Sequence, residues 1–231
     1  YNNATLNIAF AAGAYRITSK VNGSRSSAYH GGTLNGGYIL STNASQVGIS
    51  SPYSEFDGFQ LTGIGTAGTS FLAVNAQAVG GGVKNCIVYG GGGTSSNGIF
   101  ISGTGSRVEG NLVMNCGNGI RMNTYTYGAV VANNTCAKNS VGFSTGGNTG
   151  NIIGSFVNNI SVGNTTNWAT QATGATVATK NAGISGDAPW VTSGGSSITM
   201  ATTDFVDYAN NDFRPASSSS PQVEAGTDYY L

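Results

Sequence analysis

Two short phrases recur along this chain in fixed register, and that recurrence excludes nearly every fold except a stack of similar coils. Phe56-Asp57-Gly58-Phe59-Gln60-Leu61 aligns with Val83-Lys84-Asn85-Cys86-Ile87-Val88, with Val108-Glu109-Gly110-Asn111-Leu112-Val113 and with Val131-Ala132-Asn133-Asn134-Thr135-Cys136. Phe156-Val157-Asn158-Asn159-Ile160-Ser161 continues the series, and a weaker sixth copy surrounds Lys180-Asn181-Ala182. The copies step by 27, 25, 23 and 25 residues, the length of one β-helix coil. A second phrase keeps the same register: Asn97-Gly98-Ile99-Phe100-Ile101, Asn118-Gly119-Ile120-Arg121-Met122 and Val141-Gly142-Phe143-Ser144-Thr145.

Long helices are excluded, because Gly, Asn, Ser and Thr interrupt every stretch that could hold one and the apolar residues alternate with period two. The expectation is a single-domain, all-β, right-handed parallel β-helix of about seven to nine coils. Residues 1–187 supply the coils, and 188–231 form a closing segment that covers one end.

Stacking at the strand spacing of about 4.8 Å turns equivalent residues into vertical columns. Val83, Val108, Val131 and Phe156 form one inner column, and Ile99, Ile120 and Phe143 another; together they close a core that no single coil could bury. The aligned corner reads Phe59, Cys86, Asn111, Asn134, Asn159 and Asn181. Asparagine above asparagine is structural, because the short amide tolerates left-handed backbone and bonds identical amides above and below. Asp57, Lys84, Glu109 and Ala132 form a column outside the core, where alternating charge reads as a solvated salt ladder.

Composition removes several classes of partner. Only 8% of residues are charged and the net charge is zero, so the basic footprint of a nucleic-acid or anionic-membrane binder is missing. No apolar run approaches the roughly 18 to 20 residues of a membrane-spanning helix, so no membrane insertion is expected. The chain starts at Tyr1 without a signal-peptide pattern, which reads either as a processed leader or as an excerpt of a longer protein. Cys86, Cys116 and Cys136 match no metal spacing and read as small apolar fillers with free thiols. No metal or other cofactor is expected. A surface rich in Ser, Thr, Asn and Gly suits the outside of a cell or a virion.

These phrases resemble the coil repeats of right-handed parallel β-helix proteins, the pectate-lyase-like superfamily with its bacterial surface proteins and phage tailspikes. Ala11-Ala12-Gly13-Ala14-Tyr15-Arg16-Ile17 is similar to the opening of their first coils, and Asn211-Asp212-Phe213-Arg214 with Ser220-Pro221-Gln222-Val223-Glu224-Ala225-Gly226 to their closing segments. The resemblance implies the fold over most of the chain. It does not choose among lyases, hydrolases, adhesins and inert virion parts, and it leaves a homotrimer open.

Lyases of this kind, by the same resemblance, use a cluster of acidic calcium ligands and an Arg or Lys base. The chain has nine acidic residues, and most of them follow the best repeats, which disfavours six to eight oxygen ligands on the central coils. Asp57 and Glu109, two coils apart and so roughly 9 to 10 Å, form a marginal inverting pair. Lys84 between them holds both ionised and disfavours a general acid. Arg121 could take an acidic sugar and otherwise solubilises the surface. His30 reads as a loop residue, and the runs Gly80–Gly82 and Gly90–Gly93 as turns rather than phosphate cradles. The protruding Tyr125 and Tyr127, with Trp168 and Trp190 in loop-like stretches, suit contact with a glycan or a protein partner. Sequons stand at Asn3, Asn22, Asn43, Asn133, Asn159 and Asn164, with Asn159 inside the ladder. The first functional expectation is a non-catalytic extracellular or virion module, such as a tail fibre, tailspike, capsid decoration or adhesin, with surface glycans or other subunits as partners. The alternative is a polysaccharide lyase or glycoside hydrolase.

Overall fold

The computed structural model describes residues 16–18, 39–41, 47–49, 52–64, 72–76, 79–94, 96–123, 126–145, 153–169, 177–184, 189 and 196–221. Corners cut this chain into strands. At one recurring corner φ is positive in every copy, from 50° at Asn85 to 81° at Gly58, with Gly110, Asn133, Asn158 and Lys180 between. The left-handed residue therefore immediately precedes the ladder position. This corrects the expectation that Asn111, Asn134 and Asn159 themselves adopt the left-handed turn.

Each copy of the first phrase is a strand, this corner and a second strand. The first strands are β1 (Arg16–Thr18), β4 (Glu55–Asp57), β7 (Gly82–Lys84), β10 (Arg107–Glu109), β13 (Tyr127–Ala132), β16 (Ile153–Val157) and β19 (Val177–Thr179), which pair in that order as sheet A. Beyond the corner lie β2 (Ile39–Ser41), β5 (Gln60–Ile64), β8 (Ile87–Gly90), β11 (Leu112–Met114), β14 (Thr135–Ala137), β17 (Ile160–Val162), β20 (Asn181–Ile184) and β21 (Ser197–Met200), which form sheet B. The second phrase supplies β9 (Asn97–Ile101), β12 (Asn118–Met122) and β15 (Val141–Thr145) of sheet C. The same sheet holds β3 (Val47–Ile49), β6 (Leu72–Ala76) and β18 (Thr166–Trp168).

Every pairing in the three sheets is parallel, so the protein is an all-β parallel β-solenoid. About four turns are complete, running from β7 to β18, against the seven to nine expected. That expectation wound all of 1–187 into equal coils; after β18 sheets A and B continue as β19, β20 and β21, with no described sheet C strand between β20 and β21. The anticipated columns stand in register: Phe56, Val83, Val108, Val131 and Phe156 are successive partners, as are Ile99, Ile120 and Phe143. All are buried in one core.

After β21 the chain makes a 3-10 turn at Thr202–Asp204 and an antiparallel hairpin of β22 (Phe205–Asp207) and β23 (Asp212–Pro215). Phe205 and Phe213 join Leu112, Met114, Ala137, Val162, Ala182, Ile198 and Met200 in a second core on the outward face of sheet B. Lys138 Nζ donates to Ala209 O at 3.0 Å and lies 5.6 Å from the Tyr208 ring centre. This part of the closing segment is a clasp packed on the flank of sheet B.

Candidate functional site

The ladder is complete where repeat spacing places it. Asn111 Nδ2 donates to Asn134 Oδ1 at 2.9 Å, Asn134 Nδ2 to Asn159 Oδ1 at 3.0 Å and Asn159 Nδ2 to Asn181 Oδ1 at 3.1 Å. Each Oδ1 also accepts the backbone N–H of the ladder residue one coil earlier. The second amide hydrogen goes to a backbone carbonyl, of Val83, Val108, Val131 and Phe156 in turn. All four asparagines are buried. Cys86 heads the column: Asn111 Oδ1 accepts its N–H at 2.9 Å, and its thiol lies 3.1 Å from Lys84 O and 3.6 Å from Phe56 O, the latter the counterpart of Val83 O one coil earlier.

A second ladder, absent from the sequence reading, repeats this device at the next corner. Cys116 N–H donates to Asn139 Oδ1 at 2.9 Å, and Asn139 N–H to Asn164 Oδ1 at 2.7 Å. The preceding residues Asn115, Lys138 and Gly163 have φ of 54°, 55° and 63°. Cys116, Asn139 and Asn164 step by 23 and 25 residues, as Asn111, Asn134 and Asn159 do, so the signal was in the sequence. Cys86, Cys116 and Cys136 are buried and form no disulfide. Burial pushes the Cys86 and Cys116 thiols up to about 12, and the Cys136 thiol well above its ordinary value.

The charged column has the expected register, Asp57 to Lys84 to Glu109 to Ala132. Its chemistry differs. Lys84 Nζ stands 2.7 Å from Glu55, a residue the sequence reading passed over, and 3.6 Å from Glu109, which Arg107 also approaches at 3.7 Å. Asp57 is not on the outside, as expected, but only 3% exposed. Its carboxylate is covered although its register is that of Lys84 and Glu109, and Asn85 Nδ2 of the next coil donates to it at 3.0 Å. The two carboxylates considered as an acid and base pair thus occupy different environments, one buried and amide-bound, the other held between two cations.

Arg121 lies on the outward face of sheet C with its guanidinium carbon 5.8 Å from the Phe100 ring centre. Beside it Ser144 Oγ donates to Asn118 Oδ1 at 2.9 Å. Trp168, expected in a loop as a contact residue, is in β18 and 9% exposed. It stacks on Phe143 with centroids 4.6 Å apart, because β18 pairs in register with β15 and so continues the inward column of sheet C. Tyr127 opens β13 and is 39% exposed. Tyr125, Trp190, His30 and the sequons at Asn3, Asn22 and Asn43 lie outside the described residues. Of the other sequons, Asn133 is exposed, Asn159 is in the ladder and Asn164 is part-buried. Among the described residues, no three of His, Cys, Asp and Glu gather as metal ligands.

Comparison with protein-family models, with curated proteins and with solved structures returned no match for this chain. What the fold and this geometry define is a class, a parallel β-solenoid held by two internal asparagine ladders.

Proposed function

We propose that this chain is a non-catalytic scaffold and attachment module of the right-handed, pectate-lyase-like β-helix kind. It works outside cells or on a virion surface and presents its faces to glycans or to neighbouring subunits. The observation that carries the reading is the engagement of the side chains a lyase or hydrolase of this architecture would need. Asp57 is buried against Asn85, Glu109 is held between Lys84 and Arg107, and Arg121 stacks on Phe100. Side chains held in this way are committed to partners on their own and neighbouring coils rather than set facing each other across a groove as an acid and base pair. Regular coils bound by buried amide ladders supply what a display module needs, a stiff rod with a mostly uncharged surface.

The test is incubation with a panel of acidic and neutral polysaccharides, with detection of new unsaturated or reducing ends. No cleavage is expected. Reproducible cleavage that disappears in Glu109→Ala would overturn this reading in favour of the lyase or hydrolase.

A further inference from the structure

Three of the four large hydrophobic side chains exposed among the described residues lie along one corner of the solenoid, on different coils: Tyr53 at 64%, Val79 at 50% and Tyr127 at 39%. Tyr53 N–H donates to Val79 O, Gly80 N–H to Thr104 O and Gly105 N–H to Tyr127 O, at 2.9, 2.8 and 2.7 Å. Val79, Thr104 and Tyr127 are therefore stacked one coil apart. Beside them runs a second column of Tyr53, Gly80, Gly105 and Gly128, with φ of 57°, 66°, 69° and 65°.

Three of these four left-handed positions hold glycine, which adopts them without strain. The fourth holds a tyrosine, for which the same backbone is costly. The Tyr53 ring gains no place in the core; it lies over Gly80, where an added Cβ would come within 2.6 Å of Tyr53 Cδ1. At Gly105 and Gly128 an added Cβ would meet nothing closer than 3.8 Å, so the strip beyond the ring is open backbone. A strained, exposed aromatic at the head of an open glycine strip points to a ligand.

We propose that this corner strip binds a neutral saccharide chain lying along the solenoid axis, with a sugar face on Tyr53, the chain over Gly105 and Gly128, and Tyr127 flanking it. The proposal rests on the attachment reading above and names its ligand. Aromatic faces suit the apolar side of a pyranose ring, while Thr104 and the strip backbone offer neutral hydrogen-bonding groups. The coil rise of about 4.8 Å is close to one sugar unit of an extended chain. Neither column contains a charged residue, which selects against an anionic ligand. Two tyrosines and a valine also fall well short of the roughly 800 Å² per partner of a stable protein interface.

The experiment is calorimetric titration of the full chain with cellohexaose, chitohexaose and mannohexaose, with oligogalacturonate as the charged comparison, repeated for Tyr53→Gly and Tyr127→Ser. Binding to a neutral oligosaccharide, weakened about tenfold in Tyr53→Gly with Tm unchanged or raised, is the expected result. Glycine relieves the strain, so lost affinity would not reflect lost folding, and Tyr127→Ser checks the other end. The proposal is overturned if no neutral oligosaccharide binds, or if affinity survives both substitutions. It is equally overturned if the chain self-associates in light scattering and Tyr53→Gly disperses it, which would make the strip a contact between copies. Reducing ends released from the same oligosaccharides would sink the non-catalytic reading while leaving the strip as a binding site; absent binding without cleavage does the reverse.

Discussion

Asn134 shows how much one side chain does in this architecture. Its amide donates to Val108 O and Asn159 Oδ1, and its oxygen accepts from both the backbone and side-chain amides of Asn111. Truncation in Asn134→Ala removes the acceptor of two buried Asn111 donors and the donor to Val108 O, each group left unpaired costing about 1 to 3 kcal/mol. A loss of about 3 kcal/mol or more is expected in urea unfolding. The adjacent Asn133→Gly should be neutral or slightly stabilising, because position 133 is exposed and left-handed and glycine adopts that backbone freely. Equal effects at 133 and 134 would contradict this division of labour. The ladder was readable in the sequence because it repeats at coil spacing in a conspicuous residue type. Which of two adjacent asparagines carries the turn was not, since Asn133 and Asn134 are chemically identical and only backbone angles tell them apart. The second ladder was hidden by Cys116, as the first was half-hidden by Cys86: a thiol at the head of each column breaks the run of asparagines that announces it.

At the level of elements, the second phrase became strands β9, β12 and β15 with the anticipated bounds, whereas each copy of the first divides at its corner into two strands. The clasp was not readable, because β22 and β23 follow no repeat and their partners lie on strands far earlier in the chain. Its packing explains an otherwise odd pattern in sheet B. The inward column runs Val88, Val113, Cys136, Ser161 and Gly183, losing apolar bulk toward the C-terminal side. On the outward face Met114, Ala137 and Val162 stay apolar and are buried in one cluster with the hairpin. Burial thus shifts from inside the coils to their flank. Phe213, 7% exposed and edge-on to both Phe205 and Tyr208, is the centre of that flank. Phe213→Ala should cost about 3 to 5 kcal/mol and raise binding of a hydrophobic dye to the uncovered face of sheet B. A loss below about 1 kcal/mol, within the range of ordinary surface substitutions, would show that the clasp is not a second core. Trp168 was concealed in another way: loop-like sequence surroundings hid a core position that continues the Ile99, Ile120 and Phe143 column of sheet C.

Across the whole molecule, each strand of the three sheets pairs only with its counterparts one coil before and one coil after. Stability in such a stack is a sum of terms within coils and between neighbouring coils, so it need not be uniform along the axis. The middle turns have every stabilising element at once: inner apolar columns, both ladders and the Glu55, Lys84, Glu109 and Arg107 ion network. Toward the C-terminal side the inner column of sheet B is small or polar, and that end depends on the clasp. Native-state hydrogen exchange should therefore be slowest for the amides of β10, β11, β13 and β14 and should quicken through β17, β20 and β21. In Phe213→Ala the gradient should steepen, with β17, β20 and β21 losing protection while β10 and β11 keep theirs. Uniform loss of protection over all coils would instead mean that the solenoid unfolds as one unit, and that the clasp stabilises it globally rather than holding its weaker end.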